Sequence, residues 1–306
     1  MMDIIENKFK KVADFCYKLF RISELKLYSS KFSKKSFTQF QHLYILIYKQ
    51  FRKFTYKELL EDLADNLTLR AYLGLNKLPH YSTLIKFAKR LPVIVLEKLV
   101  LAFRRVIAQP EKVAIDSTGI SLDNASPHFC QRVGLTMKKR PFLKLSLIVD
   151  IINYFILLPK VRKKPRHDTV DAKLMVKKLA KHYNPEVFYG DRGYDDNALF
   201  ELVFEELEAY PLIFQKRQDV PKHRRKGRYR KETFDVFDYG EYLQRNKVET
   251  VISILKRKFG FSIRSKTVKL QKVETLTRII AYNIDRLLES GVMTLRIIIL
   301  KLRISY

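Results

Sequence analysis

Near residue 110 the sequence changes its period, and that change limits the folds open to this 306-residue chain. Before it, apolar residues recur at helical spacing, through residues 4–20 and again through an aromatic-rich run at 37–51. Thr55 followed three residues later by Glu58 is a capping box, predicting a helix that continues through Leu63. A turn at 76–80 leads into a basic helix at 82–89 that stops near Pro92. Beyond Lys112 short apolar runs alternate with helical ones. Strands are expected at 113–116, 143–152, 154–161, 187–191 and 212–215, with a tight turn at Asn153. Helices are expected at 169–182 and 197–209, and a final one from near Tyr242. The order strand, strand, strand, helix, strand, helix, strand, helix predicts an α/β domain with a mixed sheet flanked by helices. An all-helical region precedes it. The expected divisions are therefore 1–110, 111–290 and a tail at 291–306 to which no role attaches. The short N-terminal helices, the last of them basic, suit a helix-turn-helix-like reader of DNA or a plain helical packing module equally well.

Composition narrows the partners. Hydrophobic residues make up 47% of the chain, enough for a real core, but 60 Lys and Arg stand against 32 Asp and Glu. The formal charge of +28 would disfavour a compact state unless a polyanion neutralises it. Nucleic acid is the first candidate, ahead of a membrane surface or an acidic protein. Cys16 and Cys130 have no paired spacing, which suits a reducing cytoplasm and argues against a disulfide scaffold or a zinc site. Charges break residues 1–20 too often for a secretory signal, and apolar stretches such as 145–158 and 297–300 are too short or interrupted to span a bilayer. A cytoplasmic, nucleoid-associated protein without membrane contact is expected.

Two acids close buried-looking runs. Asp116 follows Val113-Ala114-Ile115, and Asp191 follows Val187-Phe188-Tyr189-Gly190. A carboxylate beside a core is costly unless it is paired or binds a cation. On neighbouring strands the two would meet at one sheet edge, where a hard cation takes oxygen ligands. Either Asp alone is as well explained as a turn former or helix cap. At about 100° per residue, Tyr242, Arg245, Glu249 and Lys256 fall within about 60° of one another on the last helix. Val248, Val251, Ile252, Leu255 and Phe259 occupy the adjacent face. A solvated charge face has the same pattern, but Glu249 is the one acid in residues 244–258.

Tyr, two residues, Arg, three residues, Glu, six residues, Lys is a spacing that resembles the signature of the insertion-sequence transposases of the DDE class. The contexts of Asp116 and of Tyr189-Gly190-Asp191-Arg192-Gly193-Tyr194 resemble that family's first and second aspartates, in the right order. Thr55-Tyr56-Lys57-Glu58-Leu59 and Ser82-Thr83-Leu84 look like the helical region preceding its catalytic domain. The resemblance implies a ribonuclease H-like fold over about 110–290. It also implies a catalytic site of Asp116, Asp191 and Glu249 holding two Mg²⁺ ions (or Mn²⁺). Water would attack first and free a 3′-OH at an element's end, and that 3′-OH would then attack target DNA. Arg245 and Lys256 would clamp phosphates, and Tyr242 would stack on a displaced base or simply pack as an ordinary tyrosine.

There are departures from the family pattern. Only 57 residues separate Asp191 from Glu249, so the large β-rich insertion of some relatives is absent. In its place residues 216–231 carry nine Lys or Arg and one Asp. This segment, with Arg224, Arg225, Lys226 and Arg228, and the basic run 160–166 are expected phosphate tracks. Asp168 is expected to cap the helix it opens, and Asp150, Asp195 and Asp196 are rival metal ligands. The implied partners are double-stranded DNA, both terminal inverted repeats and target, and a second copy of the chain on that DNA. A non-mobile ribonuclease H-like nuclease and a domesticated DNA-binding protein remain the alternative readings.

Overall fold

Val113, Ala114 and Ile115 are all fully buried, as a strand covered on both faces of a sheet requires. They belong to β1 (Lys112–Leu122), the middle of a six-stranded sheet in the computed structural model, which describes residues 2–22, 25–122, 142–216 and 220–290. Cys130, residues 217–219 of the basic segment and the tail with its apolar run at 297–300 lie outside the described residues.

The sheet order is β3-β2-β1-β4-β5, with β6 pairing β1. β2 (Phe142–Asp150) pairs antiparallel with β1, and β3 (Ile156–Arg162) antiparallel with β2, as a meander. β4 (Val187–Gly190) and β5 (Tyr210–Ile213) continue on the other side in parallel, and β6 (Ser262–Ile263) is a short parallel addition. Three antiparallel strands followed by parallel ones in this order make the ribonuclease H-like arrangement. The β2–β3 turn is held by the buried Asp150 carboxylate, which accepts from Ile152 N (2.9 Å), Asn153 N (3.1 Å) and Asn153 Nδ2 (2.9 Å). Tyr154 completes the turn at φ 62°.

Among the helical segments that accompany these strands are α7 (Asp168–Ala180), α8 (Asn197–Glu205), α9 (Arg228–Asp235), α10 (Tyr239–Tyr242), a 3-10 turn (Leu243–Arg245) and α11 (Asn246–Phe259). α7 lies on β2 and β3, and α8 on β5. His167, not Asp168, caps α7, its ring accepting from Thr169 N. Asp168 turns instead to Lys144 at 2.7 Å. The helix expected to start near Tyr242 starts earlier, at Tyr239, and tightens to 3-10 before regular α structure resumes at Asn246.

The described chain divides into two units. One unit comprises Arg104–Arg257 and Phe261–Arg264; the other takes the chain up to Phe103, Lys258–Gly260 and the chain from Ser265. The second unit is helical: α1 (Met2–Ile22), α2 (Gln39–Arg52), α3 (Tyr56–Asp65), α4 (Leu67–Tyr72), α5 (Tyr81–Arg90), α6 (Val93–Ala102) and α12 (Val268–Glu289). The Thr55–Glu58 capping box forms as expected, with Thr55 N donating to Glu58 (2.7 Å) and Glu58 N to Thr55 (3.3 Å). α12 groups with these helices. It packs on α2, α5, α6 and α1, and it is buried over most of its surface. Its interior charges are paired: Arg278 with Glu274 (2.6 Å), and Asp285 with both Lys8 (2.6 Å) and Lys258 (2.9 Å). No described helix is long and apolar enough to cross a membrane.

Candidate active site

Strand pairing leaves a notch along one side of β1. On its other side β2 pairs from Val113 to Ser121 without a break. On the notched side β4 pairs only Lys112–Ala114 and β6 only Ser121–Leu122. Asp116 sits in the gap between them. It does not end its strand, as its sequence context suggested; β1 runs six residues further because β2 and then β6 supply hydrogen-bond partners.

β4 ends at Gly190, one residue short of the acid expected to close it. Ala114 pairs with Tyr189, so Asp116 and Asp191 each stand two residues beyond the last matched pair of adjacent parallel strands. Residues two apart on a strand share a face, so the two carboxylates occupy corresponding positions. Asp191 accepts from Gly193 N (2.8 Å) and opens the 3-10 turn Arg192–Tyr194. A Cβ at Gly193 would lie 2.9 Å from Asp191 Oδ1 and would push that carboxylate aside. Behind Asp116, Ser117 bonds Ser146 (2.8 Å) and the buried Tyr194 hydroxyl (3.1 Å), tying β1, β2 and that turn together.

α11 supplies the other wall. Its expected apolar face is buried at all five positions, Val248, Val251, Ile252, Leu255 and Phe259. A cleft of about 340 Å³ between β1 and α11 is lined by Asp116, Thr118, Glu249, Ser253, Lys256 and Phe261, among others. Lys256 Nζ donates to Thr118 Oγ1 at 2.6 Å, a contact the sequence reading missed because Ser117-Thr118-Gly119 looked like a turn. Arg245 Nη2 donates to Glu249 at 2.7 Å, an i, i+4 pair, with the guanidinium largely covered and the carboxylate exposed.

The electrostatics are those of crowded acids. Burial pushes the Asp116 carboxyl up to about 6. The Ser117 amide opposes this, Asp191 adds to it, Arg245 opposes it and Glu249 adds to it. Burial also lowers Lys256, with Asp116 acting against that. Asp191 and Glu249 are thus both within electrostatic reach of Asp116. Among the described residues, however, no three acidic, histidine or cysteine side chains stand close enough to chelate a metal as placed. Glu249 is turned toward Arg245.

The rival acids are engaged elsewhere. Asp150 holds the β2–β3 turn. Asp195 takes a bidentate pair from Arg230 (2.6 and 2.5 Å) and the Lys216 amide (2.7 Å). Asp196 caps α8 through Leu199 N (3.1 Å) and pairs with Lys173 at 2.9 Å.

Tyr242 packs in an aromatic group with Phe237 (5.3 Å between centroids) and Phe214 (5.6 Å). Next to it, Glu241 was overlooked in the sequence. It accepts from Lys112 Nζ (2.6 Å), from the Tyr189 hydroxyl and from Gln244 (2.6 Å), fastening α10 to β1 and β4. The basic segment, expected as a phosphate track, is only partly exposed. Arg224 and Lys226 are exposed, and Arg228 is exposed but paired with Glu232 at 3.2 Å. Arg225 is a correction: it is buried, its guanidinium 3.4 Å from the Phe234 ring centroid and donating to Gln215. From the run 160–166, Lys163, Lys164 and Arg166 are exposed, while Arg162 pairs with Asp171.

Residues 107–284 match the family described as Transposase DDE domain, and residues 5–90 match a transposase domain (DUF772). No curated protein matches the sequence. Among solved structures, the piggyBac transposase synaptic complex with hairpin DNA is similar at a TM-score of 0.47 and 10% identity, over 91% of this chain and 76% of that one.

Proposed function

This chain belongs to the DDE transposase family, and from that premise we propose that it cuts DNA at the ends of a mobile element and joins the freed 3′-OH ends to target DNA. The observation that carries the proposal is the matched placement of Asp116 and Asp191 on adjacent parallel strands, with Glu249 and Lys256 lining the same cleft as Asp116. Three carboxylates with no thiol or imidazole among them form a hard-oxygen donor set, which fits Mg²⁺ or Mn²⁺. Asp116, Asp191 and Glu249 would hold two such ions, Glu249 giving up its pair with Arg245 to do so. When bound, the ions supply activation of the attacking oxygen and stabilisation of the leaving one.

The other residues position DNA. Lys256, braced by Thr118 beside Asp116, offers its ammonium to a phosphate near the scissile bond. Arg245, released from Glu249, offers a second cation on the same helical run. Tyr242 already has aromatic neighbours, so a base displaced toward it would extend an existing stack. Arg224, Lys226, Lys163, Lys164 and Arg166 contribute phosphate contacts that carry no sequence information. Sequence discrimination is assigned to the helical stretch 54–90. Two ends have to be brought together, so the acting species is a homodimer on DNA.

The test is cleavage by the purified full chain of duplexes carrying the inverted repeats that flank its own coding sequence. Cuts leaving 3′-OH termini at the repeat boundary, lost with EDTA and restored by Mg²⁺ or Mn²⁺, are expected. Cleavage confined to RNA–DNA hybrids, indifferent to the repeats, would make the chain a ribonuclease and overturn the proposal.

A further inference from the structure

The segment joining α1 to α2 has no assigned role. From Leu25 to Lys57 the sequence contains no Asp or Glu, and its first part carries Lys26, Lys31, Lys34 and Lys35. The loop is fixed at its base: Gln39 N donates to Leu27 O (2.8 Å) and Gln39 Nε2 to Lys26 O (2.8 Å), while Thr38 caps α2. Its tip is a turn closed by Ser33 N to Ser30 O (3.2 Å), with Lys35 in the left-handed region at φ 51°. The result is a pinned projection.

Phe32 sits in that turn at 85% exposure, the most exposed large hydrophobic side chain among the described residues. The Lys31 ammonium lies 5.0 Å from its ring centroid. Lys26, Lys31, Lys34 and Lys35 are all exposed, and among the described residues none of them has a carboxylate partner. An apolar ring held out in water among four unneutralised cations is unfavourable in the free protein. Charge complementarity selects a polyanion, and the ring selects one with flat apolar faces. Nucleic acid has both: phosphates for lysine and bases for an aromatic ring.

We propose that the loop between α1 and α2 is a DNA-contacting element in which the four lysines hold phosphates and Phe32 stacks on an unpaired or unstacked base. The proposal rests on the reading of the chain as a DNA-cutting protein and adds a site that the DDE residues do not include. Stacking on a base face is indifferent to base identity, so this loop contributes affinity for distorted DNA rather than sequence choice.

The experiment uses the full chain, a matched duplex, and the same duplex with one extrahelical 2-aminopurine. Wild type should bind both with a steep salt dependence, prefer the second and quench its fluorescence. Phe32→Ala should lose the preference by about tenfold and lose the quenching, while Phe32→Trp retains both. Changing Lys31, Lys34 and Lys35 together to Ala should weaken binding to both duplexes and flatten log K against log salt by about 2–3 units. All of these side chains are exposed, so unfolding midpoints should stay at the wild-type value. An unchanged preference in Phe32→Ala, or an unchanged salt slope in the triple variant, overturns the proposal. Wild type binding neither duplex would instead overturn the broader reading of the chain.

Discussion

Replacing Asp116, Asp191 or Glu249 by Ala should each reduce end cleavage by roughly 10⁴-fold or more, with DNA affinity retained. The effect is large because groups that act as a unit fail together. Asp150→Asn, Asp195→Asn and Asp196→Asn set the contrast. Those acids are spent on a turn, on Arg230 and on a helix cap. Their variants should lose stability before chemistry, and cleavage per folded molecule should fall far less. Single-turnover cleavage with folded fraction measured in parallel separates the two. Retained cleavage in Glu249→Ala, with loss in Asp195→Asn at full folding, would relocate the site.

The second large effect is on stability. Asp171 is 1% exposed and accepts from Arg162 Nε, and its other oxygen lies 3.5 Å from Lys144 Nζ. Lys144 is itself buried, with Asp168 and the Arg166 carbonyl as its remaining partners. Removing the carboxylate leaves Arg162 without its anion and Lys144 with a partly exposed one. Asp171→Ala should therefore cost about 3 kcal/mol, the scale for stripping one partner from a buried ion pair. Urea denaturation read by circular dichroism measures it. The exposed pair Lys177–Glu206, at 3.4 Å, is the control, and Lys177→Ala should cost less than about 1 kcal/mol. Equal costs would mean that the Asp171 cluster is no more than surface charge.

The strand order and the α11 core face were legible because both follow from periodicity, and burial is what periodicity reports. The Thr55–Glu58 cap was legible because it is a local hydrogen-bond exchange. The length of β1 was not, since Ser117-Thr118-Gly119 has turn composition and only pairing with β2 and β6 keeps it extended. α12 escaped because its buried surface is full of polar groups. Thr275 and Thr277 bond backward to Gln271 and Val273 carbonyls, and Arg278 and Asp285 are paired, so it carries no clean apolar stripe. Arg225 is expected on the phosphate track because sequence shows its charge and not the Phe234 face that covers it. One consequence concerns dissection: a fragment starting near Gln109 would keep α12 but remove the helices it packs against, so the two units are better compared by point substitution.

The central claim is that Asp116, Asp191 and Glu249 together hold the ions that cut DNA. Counting Mn²⁺ bound per chain by electron paramagnetic resonance, with the full protein on an end-containing duplex, tests it most directly. Two ions are expected for wild type, with loss of at least one in each of Asp116→Ala, Asp191→Ala and Glu249→Ala and no loss in Asp196→Asn. Full occupancy in the first three variants would contradict the assignment.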